Sequence, residues 1–130
     1  MPIDGVGLQM HISINTPNAG IDEIMRQMAA TGLLVHVSEV DVKVNPGNKT
    51  PYSFTPNLSK LQAEKVQYVI DSYQRYMPAA AQYGVTFWNV TDKDSWIVQQ
   101  PGHEDNPALL DENYEKKDAY YGALEALLLK

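Results

Sequence analysis

The chain has 130 residues, 44% of them hydrophobic, which predicts a single folded domain with one core. Its formal net charge of −6 excludes a nucleic-acid-binding protein, because phosphate binding requires clustered Lys and Arg. The lack of cysteine excludes disulfides and thiolate metal sites, and neither an export signal nor an apolar stretch long enough to cross a bilayer is visible.

The first predicted strand covers residues 3–13 and alternates between apolar and small or polar side chains. One face would carry Val6, Leu8, Met10 and Ile12, and the other Gly5, Gly7, Gln9 and His11. This alternation is typical of a strand that packs one face against a core. Apolar residues at helical spacing over residues 21–31 then predict a helix, for which Gly32 is the stop signal.

The second predicted strand covers residues 33–44 and is apolar on both sides through Val37, as in a buried parallel sheet. Its polar side chains come late, at Ser38, Glu39 and Asp41. By alternation, His36 shares the face of Leu34, where we expect it to lie among helices with its hydrogen bonds satisfied.

A long helix is predicted after the loop at residues 45–57, because Ser59 and Gln62 match a capping box. The third strand is predicted at residues 85–91 and is followed by a polar loop. The last helix is predicted at residues 117–129 from its apolar spacing. We expect it to bury Tyr120, Ala123, Leu124, Leu127 and Leu128 on one side.

Three successive strand–helix pairs with right-handed crossovers form either a doubly wound sheet or a (β/α)8 barrel. No G-x-G-x-x-G phosphate loop is present in the sequence, which disfavours the nucleotide-binding alternative. The small and polar face of the first strand favours a barrel, whose active sites lie at the carboxyl ends of its strands. Because a complete barrel needs at least about 200 residues, the sequence predicts an α/β fold that is part of a TIM barrel, about three βα units.

Two acids at the end of the second strand are the first candidates for chemistry. Glu39 and Asp41 are two residues apart, so they leave one face of the strand, predicted to be the face of Val35 and Val37. His11 ends the polar face of the neighbouring strand, and this geometry permits a hydrogen-bonded chain from Asp41 through His11 to Glu39. A solvated pair of acids is the commoner use of such spacing. A divalent metal site is a third possibility, but no H-x-x-x-H spacing supports it.

Two tryptophans, Trp88 and Trp96, flank the start of the loop after the third strand. An isolated tryptophan is more often part of a core than a ligand platform. Here the two lie in a polar stretch, beside Thr91, Asp92 and Ser95. That context favours a binding rim, where aromatic faces would stack on sugar rings.

Four segments, in chain order, resemble the family-10 glycoside hydrolases, which are endo-β-1,4-xylanases. Residues 4–11 (DGVGLQMH) resemble strand six of their barrel, and residues 35–41 (VHVSEVD) resemble strand seven. Residues 86–96 (TFWNVTDKDSW) resemble strand eight with its loop, and residues 107–120 resemble the closing segment. The resemblance covers nearly the whole chain, and it implies that residues 1–130 are a single incomplete catalytic domain.

The resemblance also implies a role for each site residue. Glu39 would be the nucleophile of a retaining glycosidase, with His11 and Asp41 holding and tuning it. Gln9 would lie beside Glu39, near the sugar. No cofactor and no metal are implied, and the family is expected to be secreted or periplasmic.

Trp88 and Trp96 would wall the subsite of the bond that is cleaved. Some positions depart from the family pattern: Ser38 replaces Thr, Val40 replaces Leu, and Asn89 stands where Gly is common. The larger departure is the acid/base motif of strand four, of the type W-x-x-x-N-E, which nothing in this sequence matches.

The sequence therefore predicts the nucleophile-bearing part of a retaining endo-1,4-β-xylanase, inactive or poorly active by itself. Its partners would be β-1,4-xylan or xylo-oligosaccharides, with neither nucleic acid nor membrane. Open strand edges also predict either a complementary barrel fragment or self-association. Two alternatives stay open: a non-catalytic xylan-binding or assembly remnant, and another barrel glycosidase such as a cellulase.

Overall fold

The computed structural model describes residues 2–128. Its sheet has three parallel strands in the order β1-β2-β3, namely β1 (Gly5–Ser13), β2 (Leu34–Lys43) and β3 (Gln82–Phe87). One α-helix follows each strand, namely α1 (Asn18–Ala29), α2 (Pro56–Tyr76) and α3 (Asp118–Leu128), and two short 3₁₀ helices lie at Ala79–Ala81 and Asp92–Asp94. The predicted βα repeat is therefore confirmed. No helix among these residues has the length and apolar composition of a membrane span.

The helices cover one face of the sheet. The first core cluster joins β1, α1, β2 and α2 through Met10, Ile21, Met25, Val35, Val37, Val40, Val69, Tyr73 and Met77. Val6, Leu8 and Ile12 pack against this cluster, so the alternation predicted for the first strand is correct. A second cluster joins β2, α2 and α3 through Val42, Val66, Ile70, Ala119, Ala123 and Ala126.

The other face of the sheet is open within residues 2–128. Gly5, Gly7, Gln9 and His11 are all exposed on β1. The outer edges of β1 and β3 also have no strand beside them in this part of the chain. An open, small and polar face is what part of a barrel would present toward the barrel axis.

The start of α2 differs from the prediction. The helix begins at Pro56, and the side chain of Thr55 caps it by accepting a backbone N–H of the first turn. Proline suits the first helical position because it lacks the N–H that would be left unpaired there. The capping box predicted at Ser59 and Gln62 is therefore wrong. The Ser59 hydroxyl donates to Asp118 on α3 instead, and buried Gln62 donates to backbone carbonyls outside the helix.

The buried face of α3 is also not the predicted one. The residues buried against α2 are small, namely Ala119, Gly122, Ala123 and Ala126. Leu124, Leu127 and Leu128 are 39%, 49% and 70% exposed, so of the predicted set only Ala123 is buried. The cause is the close approach of two backbones, since a Cβ on Gly122 would lie 2.7 Å from the Ala63 carbonyl oxygen. Large side chains do not fit at that contact.

The third strand lies earlier than predicted, at Gln82–Phe87 instead of residues 85–91. The ladder extends to Trp88, whose N–H donates to the Val40 carbonyl at 3.0 Å. It stops at Asn89, which has φ 65° in the left-handed region and cannot continue an extended strand.

Candidate active site

A β-bulge in β2 determines where the acids point. Gln9 pairs with Ser38 and His11 pairs with Asp41, so β2 holds one residue more than β1 between these pairs. The extra residue is Glu39, whose φ of 57° lies in the left-handed region. A non-glycine residue in this conformation is uncommon and is found at functional sites.

The bulge makes one prediction wrong. Val35 and Val37 are fully buried on the helix side, whereas Asp41 is level with His11 on the open side. The acids thus do not share the face of Val35 and Val37. Simple alternation fails because the extra residue, Glu39, reverses the side on which each later residue of β2 lies.

Hydrogen bonds join the acids to β1 on the open face. The Nδ1 of His11 is 2.9 Å from Asp41 Oδ2, and its Nε2 is 3.0 Å from Glu39 Oε2. The amide of Gln9 donates to the other Glu39 oxygen at 2.9 Å. The predicted chain from Asp41 through His11 to Glu39 is therefore formed, with Gln9 beside it. The catalytic roles of these residues remain predictions.

The three members of this chain differ in their access to solvent. Asp41 is buried at 1% side-chain exposure, while His11 and Glu39 keep 28% and 24%. The indole Nε1 of Trp96 donates to Asp41 Oδ2 at 3.0 Å, so that oxygen receives two contacts. Asp41 therefore anchors the imidazole from behind, and Glu39 is the carboxylate that a ligand can reach.

Both tryptophans stand beside the imidazole. The ring centroids of Trp88 and Trp96 lie 6.4 Å and 5.6 Å from that of His11, with the rings close to perpendicular. They are 40% and 39% exposed, so neither is part of the core. Asn89, after Trp88, has a left-handed backbone that Asn and Gly both tolerate. That backbone conformation suits Asn at a position where the resemblance led us to expect Gly.

His36 is not where the sequence predicted it. Its ring lies on the open face, with Nε2 2.8 Å from the Thr86 hydroxyl of β3 and the ring centroid 5.2 Å from that of Tyr83. It is not among the helices, because the helix-side positions of β2 near it are Val35 and Val37. The prediction placed Val35 and Val37 on the side of the acids and His36 on the helix side, which is the reverse of what is observed.

Sequence reasoning missed a buried network at the same end of the sheet. Lys117 contacts Asp92 Oδ1 at 3.1 Å and donates to the carbonyls of Asn106 and Ala108 at 2.7 Å and 2.8 Å. We call these four residues the loop clamp. Burial raises the pKa of Asp92 and lowers that of Lys117, and the contact between the two side chains opposes both shifts. No motif signalled it, because Asp92 and Lys117 are 25 residues apart in sequence.

The loop clamp holds the segment that carries Trp96. Asp105, in the same segment, accepts the backbone N–H groups of Val44 and Asn45 at the end of β2. Trp96 is thereby kept in place over Asp41.

The arrangement gives a metal site no positive support. Both ring nitrogens of His11 already face carboxylates. Within residues 2–128, no group of three His, Asp or Glu side chains is placed to hold a metal ion.

Comparison with known proteins assigns the family. A model of glycosyl hydrolase family 10 matches residues 1–126. The chain belongs to glycosyl hydrolase family 10. The predicted family membership is confirmed.

Relatives of known activity are xylanases. The chain is 32% identical to endo-1,4-beta-xylanase A of Cellvibrio japonicus, over 98% of this chain and 23% of that protein. It is 35% identical to endo-beta-1,4-xylanase Xyn10C of the same organism, again over 98% and 23%. The chain thus spans about a quarter of the length of these relatives.

Solved structures agree on the fold. A thermostable mutant of xylanase Xyn10A from Cellvibrio japonicus superposes with a TM-score of 0.85 at 31% identity, over 97% of this chain and 40% of that one. Xylanase10C of the same organism, a mutant in complex with xylopentaose, gives 0.88 at 34%, over 99% and 28%. The three-stranded sheet with its helices is therefore part of a (β/α)8 TIM barrel, as predicted.

Proposed function

We propose that this family-10 chain carries the nucleophile of a retaining endo-1,4-β-xylanase, and that the nucleophile is Glu39. One observation carries the proposal. Glu39 is presented on the open face by a strained, bulged backbone and is contacted from behind by Gln9 and His11. The left-handed φ of Glu39 is a cost that a purely structural carboxylate would not require.

The geometry suits a double displacement. A Glu39 oxygen attacks the anomeric carbon, the bond from that carbon to the leaving oxygen breaks, and a second carboxyl group protonates that oxygen. Water then attacks the same carbon and releases Glu39, after giving its proton to the second carboxylate. Gln9 and His11 orient the Glu39 oxygens, and Asp41 orients His11.

The second carboxyl group must come from outside the described residues. In retaining enzymes it lies about 5 to 5.5 Å from the nucleophile, on the substrate side. The acid joined to Glu39 through His11 is Asp41, which is buried and already contacted by His11 and Trp96. Asp41 is thus placed to support the imidazole and not to protonate a leaving group.

We propose β-1,4-xylan and xylo-oligosaccharides as substrates, in line with the activity of the relatives and the xylopentaose bound to the Cellvibrio japonicus xylanase. Trp88 and Trp96 offer exposed aromatic faces beside Glu39 on which sugar rings would stack. Secretion or periplasmic location stays a prediction.

The surface of the chain fits one partner best, namely the remaining strands and helices of a barrel. Tyr121, Leu124, Leu127 and Leu128 form an exposed apolar face on α3. This face continues the layer of helices around the sheet, beyond the open edges described above. We therefore treat residues 1–130 as a single incomplete catalytic domain that is completed by such a segment. Self-association through the same surfaces is the competing outcome.

The test compares the chain alone with the chain combined with a segment supplying the first five strands. Without the acid/base, xylan hydrolysis by the chain alone should be roughly 10² to 10⁴ times slower, because general acid catalysis contributes about that factor. Robust turnover by the chain alone would overturn the proposal. A preference of the combined protein for carboxymethylcellulose over xylan would instead identify a cellulase.

A second candidate function is a xylan-binding or assembly module without catalysis. The observation in its favour is that both tryptophans are exposed although the described residues hold no acid/base. Calorimetry with xylotriose separates the two functions. Binding by the combined protein without any turnover would favour the module.

A further inference from the structure

Lys43 lies at the mouth of the site, in the layer above the hydrogen-bonded chain. It is the last residue of β2, two positions after Asp41 on the same face, and it pairs in register with Ser13. Ser13 is itself two positions after His11 on β1. The pair formed by Ser13 and Lys43 therefore follows the pair formed by His11 and Asp41 toward the carboxyl ends of the strands.

The ammonium group of Lys43 sits over an aromatic wall of the site. Its Nζ is 5.2 Å from the centroid of the Trp96 ring, the same indole that donates to Asp41. A cation over an aromatic face at a partly exposed position is held weakly. The flexible stem of a lysine thus leaves the charge free to move to a better partner.

No carboxylate of residues 2–128 forms an ion pair with Lys43. Its charge acts on Asp105, where burial raises the pKa and Lys43 opposes that rise. Asp105, however, directs its oxygens to the backbone N–H groups of Val44, Asn45 and Asn106. In an acidic chain of net charge −6, Lys43 is therefore a cation at the site mouth that has no ion-pair partner within residues 2–128.

We propose that Lys43 recognises a carboxylate substituent on the sugar chain, that is, an acidic uronic-acid branch next to the bond that is cleaved. The inference rests on the proposed function and names its substrate class. Glu39 and Asp41 would repel such a branch, and the ammonium of Lys43 offsets that repulsion and donates a charge-assisted hydrogen bond to the carboxylate.

The test uses the assembled enzyme, that is, the chain combined with a segment supplying the first five strands. Its kcat/KM is measured on two xylo-oligosaccharides of equal length, one carrying a uronic-acid branch and one unbranched. Lys43→Met should lower the ratio of acidic to neutral kcat/KM roughly threefold to tenfold, the range for one charge-assisted contact that is partly exposed. Lys43→Arg should keep most of the ratio, because it keeps the charge. Lys60→Met is the matched control, since Lys60 is exposed on α2 and pairs with Glu64.

The ratio separates recognition from simple support of Trp96. If Lys43 only held the Trp96 indole in place, Lys43→Met would lower kcat/KM for the acidic and the neutral sugar together. An unchanged ratio would therefore overturn the proposal. The preference should also weaken at higher salt, because screening acts on exposed charges.

Calorimetry with the same two oligosaccharides gives a second measurement that needs no turnover. Suppose that the wild-type protein binds the neutral sugar, and that Lys43→Met causes no loss of preference for the acidic sugar. This result would refute the role of Lys43 and leave the proposed function standing. Protein that neither binds nor cleaves the neutral sugar would refute the proposed function itself.

Discussion

Two polar networks lie at the carboxyl end of the same sheet, and they are built differently. In the chain from Asp41 to Glu39, the rear carboxylate is buried while His11 and Glu39 keep 28% and 24% side-chain exposure. In the loop clamp, Lys117 and Asp92 keep only 6% and 3%. The first network is buried at its rear and open in front, whereas the second is closed on every side.

The open network suits a chemical role, and the closed network suits support of the structure. A closed network of buried charges rigidifies a loop, because each charge depends on the others for its solvation. An open network leaves one charged group available to a ligand and uses the rest to orient it. On this basis, damage to the open network should reduce activity, and damage to the clamp should reduce stability.

The largest expected effect is on activity, from Glu39→Gln. We expect kcat of the assembled enzyme to fall by roughly 10³-fold or more, because removing a nucleophile removes the covalent step. The melting temperature should change little, since the amide keeps the shape of the carboxylate and its contact with His11. Glu115→Gln, at an exposed position, is the control for loss of a carboxylate. A Glu39→Gln enzyme with most of its activity would remove the distinction between the two networks.

The next effect is on stability, from Lys117→Met. The change leaves Asp92 buried without its ion-pair partner, and breaking a buried pair costs about 3–5 kcal/mol. Urea unfolding of the assembled protein measures the loss, with Lys116→Met as the exposed neighbouring control. A loss below about 1 kcal/mol would mean that the clamp is not the closed support described here. Replacing Asp92 by Asn in the same protein should recover part of the loss, because the uncompensated charge is then removed.

The smallest effect concerns a partly buried structural network between α1 and α2. The Ser72 hydroxyl lowers the pKa of Asp22, burial opposes the shift, and the Tyr68 hydroxyl adds to the lowering. Because the folded pKa is depressed, this contribution to stability is present above the unfolded value of about 3.9 and is lost as pH falls through the folded pKa.

Melting curves between pH 5.5 and pH 3 test this expectation. Asp22→Asn should lower the melting temperature at pH 5.5 and flatten its fall toward pH 3, while Asp4→Asn, at an exposed position, should do neither. An identical pH dependence in Asp22→Asn and the wild-type protein would show that these hydrogen bonds do not favour the ionised form.

Some errors of sequence reasoning share one physical origin. The faces of Val35, Val37 and His36 relative to the acids were misassigned because period-two alternation assumes an uninterrupted strand, and the bulge at Glu39 adds a residue that pairs with nothing. The face of α3 was misassigned because hydrophobicity favours leucines in a core. The close contact with α2 instead selected the small residues around Gly122.

The sequence by itself determined the order of strands and helices, the packed face of β1, the family, and the residues His11, Glu39 and Asp41 as a group. These follow from local periodicity and from motifs that lie within single segments. Only the tertiary structure decided that the acids lie on the face opposite Val35 and Val37, which side of α3 is buried, and that Asp92 and Lys117 meet. Those features depend on backbone strain, on distances between helix axes and on contacts between distant segments, none of which local sequence patterns encode.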